Sequence, residues 1–398
     1  MLDLNNYQFT VSQKKILEDI KKDLFMWNET PFEQLWPKEF EIKYEGKQLA
    51  KKIFEYYTTK YKELQIKPNN YDNFQWIKYK PRKYSFTKIE KEGMGLGMCP
   101  VASEGTRCCN LLTLDAVESC GFDCSYCSIQ SFYNQNKIGF DKDFKTKLEN
   151  LNLDPNEIYH IGTGQSSDSL MWGNREGILD ALFSFAKKYP NVILEFKTKS
   201  NNIKYFIEND VPPNIIVTWS LNPQVIIDNE EHLTASLEER INAARKLADR
   251  DILVGFHFHP IVVYENYLDD YTAIAKHLTN QFTPKEVALI SMGTLTFIKP
   301  VIKKIREREF QSKILQMPFE TINGKQSYPI KTKKEMFKTL YDAFEPWHRK
   351  VYFYMCMEAH SLWKDVFGYE YSSNNQMEEF MKNSYMEKIE NLSKLKNK

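Results

Sequence analysis

Between residues 157 and 295, short and almost uninterrupted apolar runs alternate with amphipathic stretches of helical period, and few folds accept that order. The runs are EIYHIGTG (157–164), VILEFKTK (192–199), NIIVTWSL (214–221), ILVGFHFHPIVV (252–263) and EVALISMGTL (286–295), with NLLTLDAV (110–117) ahead of them. REGILDALFSFAKKY, NNIKYFIEND, SLEERINAARKLADR, YLDDYTAIAKHL and later FIKPVIKKIRER separate or follow them, with apolar residues at three-to-four spacing. Strands apolar on both faces, each leading into a helix, specify a parallel sheet with crossover helices. Six such units predict an α/β fold, a partial (β/α)6 TIM barrel. An open doubly wound sheet would call for G-x-G-x-x-G after a strand, and none occurs.

The flanks read differently. VSQKKILEDIKKDLFMW and GKQLAKKIFEYYTTKYKEL predict helices within residues 1–66. A basic–aromatic stretch, KYKPRKYSFTKIEK (78–91), follows and suits either phosphate and base contacts or a solvated linker. The chain is therefore divided into a helical N-terminal region with basic linker (1–90), a barrel (91–310) and a C-terminal region (311–398), whose charged tail from 376 is expected to fray. A net charge of +1 advertises no global attraction to nucleic acid or membrane. No uncharged run is long enough to span a bilayer, and the first residues lack a cationic start followed by an apolar run. A cytoplasmic location with no membrane partner is expected, so the seven cysteines point to metal binding or catalysis rather than disulfides.

Three of the seven fall in SCGFDCSYCS. Cys120, Cys124 and Cys127 form C-x3-C-x2-C after the first predicted strand, where barrel active sites gather. Structural zinc wants four ligands, commonly two C-x2-C knuckles, and only Cys124–Cys127 makes one. A cubane iron–sulfur cluster on three thiolates keeps one iron open for another ligand.

At these residues the chain resembles the radical S-adenosylmethionine superfamily, with Tyr126 as the aromatic before the third cysteine. The resemblance implies a [4Fe-4S] cluster on Cys120, Cys124 and Cys127. It also implies bound S-adenosyl-L-methionine, cleaved to a 5′-deoxyadenosyl radical that abstracts hydrogen from a substrate. ILEFKTKS, VTWSLNP and LTASLEERINAARKLADRDILVGFHFHPIVVYENY look like the spore photoproduct lyase family, over roughly residues 95–310. On that resemblance Lys199 and Ser220 match cofactor contacts, and Ser166, Ser167 and Asp168 match a segment lining the same pocket. Asn222 would share the face of Ser220, and Tyr126 completes the expected cofactor-binding set. The family further implies a DNA thymine photolesion or another nucleotide as substrate, and a reducing electron donor such as flavodoxin or ferredoxin. A non-DNA substrate, and a non-enzymatic zinc- or nucleic-acid-binding protein, are the alternatives.

Two positions depart from the family. The cysteine just upstream of its Ser-Asp element is Gln165 here, and the tyrosine after its third cluster cysteine is Ser128. An amide and a primary alcohol hold hydrogen too tightly to stand in for a thiol and a phenol. Cys99, Cys108, Cys109 and Cys356 remain. They number enough for an auxiliary iron–sulfur cluster, could supply a hydrogen-donating or redox thiol, or pack as small hydrophobes. Cys109 and Cys356 are the candidate catalytic thiols. His257 and His259 alternate along the fifth expected strand; with Glu265 they are weaker metal candidates, and a substrate contact or a satisfied place in the fold is the reading preferred for them.

Overall fold

Every expected apolar run forms a strand in the computed structural model, which describes residues 2–71, 74, 83–93, 96–99, 105–133, 136–308, 310–322 and 324–396. Residues 78–82 of the basic–aromatic stretch lie outside that description; the rest of it contains the strand Ser85–Ile89. The chain divides into two units. One comprises Met1–Lys80, Val263–Glu265 and Thr296–Pro329, the other Pro81–Val262, Asn266–Leu295 and Ile330–Lys398.

The second unit holds an 8-stranded sheet in which every strand lies beside its neighbour in sequence. Its strands are β1 (Leu96–Met98), β2 (Leu112–Leu114), β3 (Tyr159–Thr163), β4 (Val192–Thr198), β5 (Ile215–Ser220), β6 (Leu253–Ile261), β7 (Val287–Thr294) and β8 (Tyr352–Met355). All neighbouring pairs from β2 to β8 are parallel, and β1 runs antiparallel to β2. Beyond the six strands of the expected barrel the sheet gains one at each edge, the unforeseen β1 and β8, which lies within KVYFYMCMEA (350–359), a run that is strand-like in the sequence. Every residue of β5 and β7 is buried, as parallel strands covered on both faces require. The helix Leu237–Ala248 between β5 and β6 starts on a capping box of Ser236 and Glu239, which satisfies two otherwise orphaned backbone N–H groups.

The sheet curls. Glu195 on β4 accepts from His160 Nε2 on β3 (2.8 Å), from the Thr218 hydroxyl on β5 (2.8 Å) and from His257 Nε2 on β6, two strands away, at 2.7 Å. Burial alone would raise the Glu195 carboxyl, but the two histidines override it and hold it well below the usual carboxylate range. His257 is kept neutral, pulled down to about 4 chiefly by burial and then by Lys197. Segments flanking the two ends of the sheet also meet. Thr106 bridges to Ala359, Arg107 N–H donates to Glu358 O (3.0 Å), and His360 N–H donates to Gly105 O (3.0 Å).

The tail does not fray through Ile389. Met377, Met381, Tyr385 and Ile389, four residues apart along the helix Asn374–Lys396, are all buried, and the Tyr385 ring lies 5.3 Å from that of His160. Among the described residues, no helix is long and apolar enough to cross a membrane.

The first unit contains the expected helices, Val11–Met26 and Gly46–Ile66, with a short one at Lys38–Lys43. Leu17, Ile20, Leu24, Phe32, Ile53 and Tyr57 fill its core. Asp23, wholly buried, accepts from Arg306 Nε (2.8 Å) and from the Tyr61 hydroxyl (2.6 Å).

Candidate active site

The cysteine loop begins where β2 ends. Ser119 turns the chain with φ 72°, and Asp123–Cys124 then pairs antiparallel with Glu231–His232, Cys124 opposite Glu231. Ser125 N–H donates to Glu230 O (2.8 Å), and Cys127 N–H donates to Cys124 O (3.2 Å). Gly121 permits a close approach: a Cβ there would run into the Met171 methyl and the Trp172 ring. Met171 Sδ accepts from Gly121 N–H (3.3 Å) and stands 3.9 Å from Cys120 Sγ.

The thiols of this loop feel one another. Burial pushes Cys120 up, with Asp168 and Cys127 adding to it. Cys124 is raised well above its ordinary value by burial, with Lys199 opposing. A bound cation is what would ionise such thiols. Among the described residues, no three Cys, His, Asp or Glu side chains stand close enough to make a ready-formed ligand set. The donor chemistry nonetheless fits the implied iron–sulfur cluster: three soft thiols on one loop, coupled to one another, with the Lys199 ammonium beside Cys124 to offset thiolate charge.

Glu231 is the hub beneath the loop. Its carboxylate accepts from the Tyr126 hydroxyl, from Lys199 Nζ (3.0 Å) and from Asn222 Nδ2 (2.7 Å), while Arg240 pairs with its other oxygen at 2.7 Å. Burial would raise this carboxyl, but Lys199 and Arg240 outweigh that and hold it well below the usual range. Arg240 is wholly buried and also donates to Ser220 O at 2.8 Å, tying the end of β5 to the hub. Asn222 in turn accepts from the Tyr271 hydroxyl at 2.5 Å.

The loop after β3 forms the adjoining wall. Gly164 turns it at φ 80°, where a Cβ would press on Ser169 and on Ser167 O, at 2.9 Å from the latter. Asp168 then accepts from the N–H groups of Leu170 (3.0 Å) and Met171 (2.9 Å), from the Thr198 hydroxyl (2.7 Å) and from Lys199 N–H (2.7 Å). One carboxylate therefore fixes both the Met171 turn and the end of β4. Ser166 is held by Asp115, N–H and hydroxyl each at 2.9 Å, and by Tyr133 at 2.9 Å. Ser167 accepts from Trp172 Nε1 at 3.0 Å.

Comparison with known proteins bears directly on this geometry. The family model described as spore photoproduct lyase matches residues 113–339. The chain belongs to the spore photoproduct lyase family. Spore photoproduct lyase of Clostridium acetobutylicum is 24% identical over 199 residues, covering 48% of this chain and 59% of that protein. The enzyme of a Geobacillus species is 21% identical over 202 residues, covering 49% of this chain and 59% of its own length. The chain thus spans about three-fifths of the length of these curated relatives. Two solved structures share the fold. A spore photoproduct lyase double mutant with bound AdoMet and dinucleoside spore photoproduct superposes with TM-score 0.56 at 19% identity, over 68% of this chain and 81% of that one. Spore photoproduct lyase complexed with dinucleoside spore photoproduct gives 0.57 at 18% identity, over 68% and 82%.

Of the residues singled out from sequence by this family resemblance, Tyr126, Lys199 and Asn222 converge on Glu231, next to Cys124. Asp168 joins them through the Lys199 backbone, and Ser220 through Arg240. Ser166 and Ser167 have separate partners in the neighbouring loop. Cys109 and Cys356 are not at the hub; they lie with Cys99 and Cys108. His257 is engaged by Glu195, Glu265 accepts from Asn70 at 2.9 Å, and among the described residues no group of three His, Cys, Asp or Glu gathers around them. Glu231, Arg240 and Asp115 escaped sequence reading. Glu231 and Arg240 carry no recognised motif, and their ties to the site, to Lys199 and to Ser220 O, run to residues 32 and 20 away. Asp115, directly after β2, could have been found by its position at a strand's carboxyl end.

Proposed function

We propose that the chain is a radical S-adenosylmethionine enzyme of the lyase type whose Cys120, Cys124 and Cys127 hold a [4Fe-4S] cluster, with a thymine photolesion in DNA or a related nucleotide as substrate. The observation that carries this reading is the three-thiol loop itself, seated at the carboxyl end of β2 and pinned by a two-residue strand to Glu231. When bound, the cluster and S-adenosylmethionine supply a 5′-deoxyadenosyl radical as hydrogen abstractor, at the expense of one electron from a reduced donor such as flavodoxin or ferredoxin.

The chain's own residues orient and enclose. Glu231 fixes the Tyr126 hydroxyl and the Lys199 ammonium against the loop, leaving Lys199 two further N–H donors for a ligand. Asp168 sets the Lys199 backbone and the Met171 turn together, so the two walls of the site cannot drift independently. Ser166 and Asn222 are already hydrogen-bonded, which orders the polar lining before any ligand arrives.

Ser128 is exposed, and on the family resemblance it and Gln165 stand where the family has a phenol and a thiol. Those replacements favour a second reading, in which the hydrogen-abstracting chemistry is directed at a substrate other than spore photoproduct. One experiment separates the readings. Anaerobically reconstituted, reduced protein is given S-adenosylmethionine with ultraviolet-irradiated DNA. Deoxyadenosine with loss of thymine lesions supports repair; deoxyadenosine with unchanged lesions supports another substrate. Protein that contains zinc but no iron or sulfide, and forms no deoxyadenosine, overturns both.

A further inference from the structure

The four cysteines outside the loop come from three segments of chain, and the fold brings them together. Cys99 follows β1, its N–H donating to Leu111 O at 2.9 Å. Cys108 and Cys109 are buried just ahead of β2, with Cys108 N–H held by Asn374 at 3.1 Å. Cys356 follows β8, its N–H donating to Met292 O at 2.7 Å. β1 and β8 are the two edges of the sheet, so in a flat sheet Cys99 and Cys356 would be as far apart as its strands allow. The backbone contacts of Thr106, Arg107 and Gly105 with Ala359, Glu358 and His360 are what join them.

Their surroundings are unlike those of scattered core cysteines. None is in a disulfide. Cys109 is hydrogen-bonded to Cys108 and lies in the field of Cys356 and Cys99; Cys356 lies in that of Cys99 and Cys108. Lys197 lies in the field of both Cys99 and Cys356. Lys197 rises from β4 among these thiols, and among the described residues no carboxylate forms an ion pair with it. Four thiolates around a divalent ion carry a net charge of −2, half of which the Lys197 ammonium would offset.

We propose that Cys99, Cys108, Cys109 and Cys356 hold a second metal centre with a complete set of four thiolates, either a zinc ion or an iron–sulfur cluster. A zinc ion or a preformed cluster exchanges its carrier or water ligands for four metal–sulfur bonds and expels four thiol protons to solvent, with no change of oxidation state. The four thiols are not drawn onto one point in this structure, and neither are Cys120, Cys124 and Cys127, so both sets close on their metal. A full ligand set admits no substrate, unlike the three-thiol loop. The centre therefore clamps the seam between the two edges of the sheet, and it stands whether or not the cofactor reading of the other loop survives.

The test removes the first loop and asks what metal remains. Full-length Cys120→Ala/Cys124→Ala/Cys127→Ala protein is prepared anaerobically and offered iron with sulfide, or zinc. About four irons with matching sulfide, or about one zinc, should stay with each chain. Adding Cys356→Ser should cut that content at least about fivefold by weakening a four-ligand site. A folded triple variant retaining under about 0.2 metal per chain overturns the proposal. Should the triple variant fail to fold, Cys356→Ser is made in the otherwise unaltered chain. There the iron content should fall by about half, or the zinc vanish, and Cys99 and Cys109 should become open to alkylation. Unchanged metal and unchanged alkylation overturn it equally.

Discussion

Replacing Glu231 by Gln keeps the side chain's shape and removes its charge, so the effect measures electrostatics rather than packing. Two cations then lose their counter-ion. Arg240 is wholly buried and cannot turn to water, although Ala235 O (2.9 Å), Ser220 O (2.8 Å) and the Thr234 hydroxyl (2.6 Å) still accept from it. The Lys199 side chain is 15% exposed and can reorient outward on its flexible stem. Breaking a buried pair on one side costs about 3–5 kcal/mol, and the escape open to Lys199 places the expected loss near the lower end, about 3 kcal/mol. Anaerobic urea denaturation of metal-free protein should show this as a lower midpoint with an unchanged slope. In the Glu231→Gln background, a further Lys199→Met change should cost less than in the wild type, with a coupling of about 0.5–3 kcal/mol. Because the folded Glu231 carboxyl lies below its ordinary value of 4.5, its contribution is present above that value and is lost as pH falls further; the gap between wild type and variant should narrow accordingly. A loss under about 1 kcal/mol, the size expected at an exposed ion pair, would refute the hub.

His257 gives a second pH signature. Held near 4 against an ordinary value of 6.5, it stays neutral in the folded chain while the unfolded chain takes up a proton. Stability should therefore fall by up to about 3 kcal/mol as pH drops from 6.5 through 4. His257→Gln should flatten that segment of the stability–pH curve, and parallel curves for the two proteins would contradict the assignment. Gly164→Ala should destabilise by about 1–2 kcal/mol from the left-handed backbone alone, with the clash against Ser167 O adding to it. Equal urea midpoints for Gly164→Ala and wild type would show that this turn can relax.

The sheet was legible because its information is local. Parallel strands buried on both faces must be apolar throughout, and the helices between them repeat at 3.6 residues, so each element announces itself within ten or fifteen residues. The edge strand β1 did not, since three residues containing a glycine become a strand only by pairing with β2. The tail's helical pattern holds, but its expected fraying does not, for a related reason. Its charged residues dominate the composition, while the buried stripe of Met377, Met381, Tyr385 and Ile389 supplies one apolar position per turn. That stripe is too narrow to stand out, yet it is wide enough to cover the sheet beside His160.

The site divides along the same line between local and distant information. C-x3-C-x2-C is a chemical statement made within eight residues, whereas the meaning of Lys199 depends on Glu231, 32 residues away. On the family resemblance Lys199 is a cofactor contact at the end of a strand. In the fold its charge is already answered, and Arg240 shares the same carboxylate, so the hub carries two cations against one anion. An incoming carboxylate would complete that balance, while an incoming cationic group would meet repulsion unless it sat on the Glu231 side. Charge alone therefore favours a ligand whose acid group faces Lys199, the one of the two cations that reaches solvent, and whose basic group lies elsewhere.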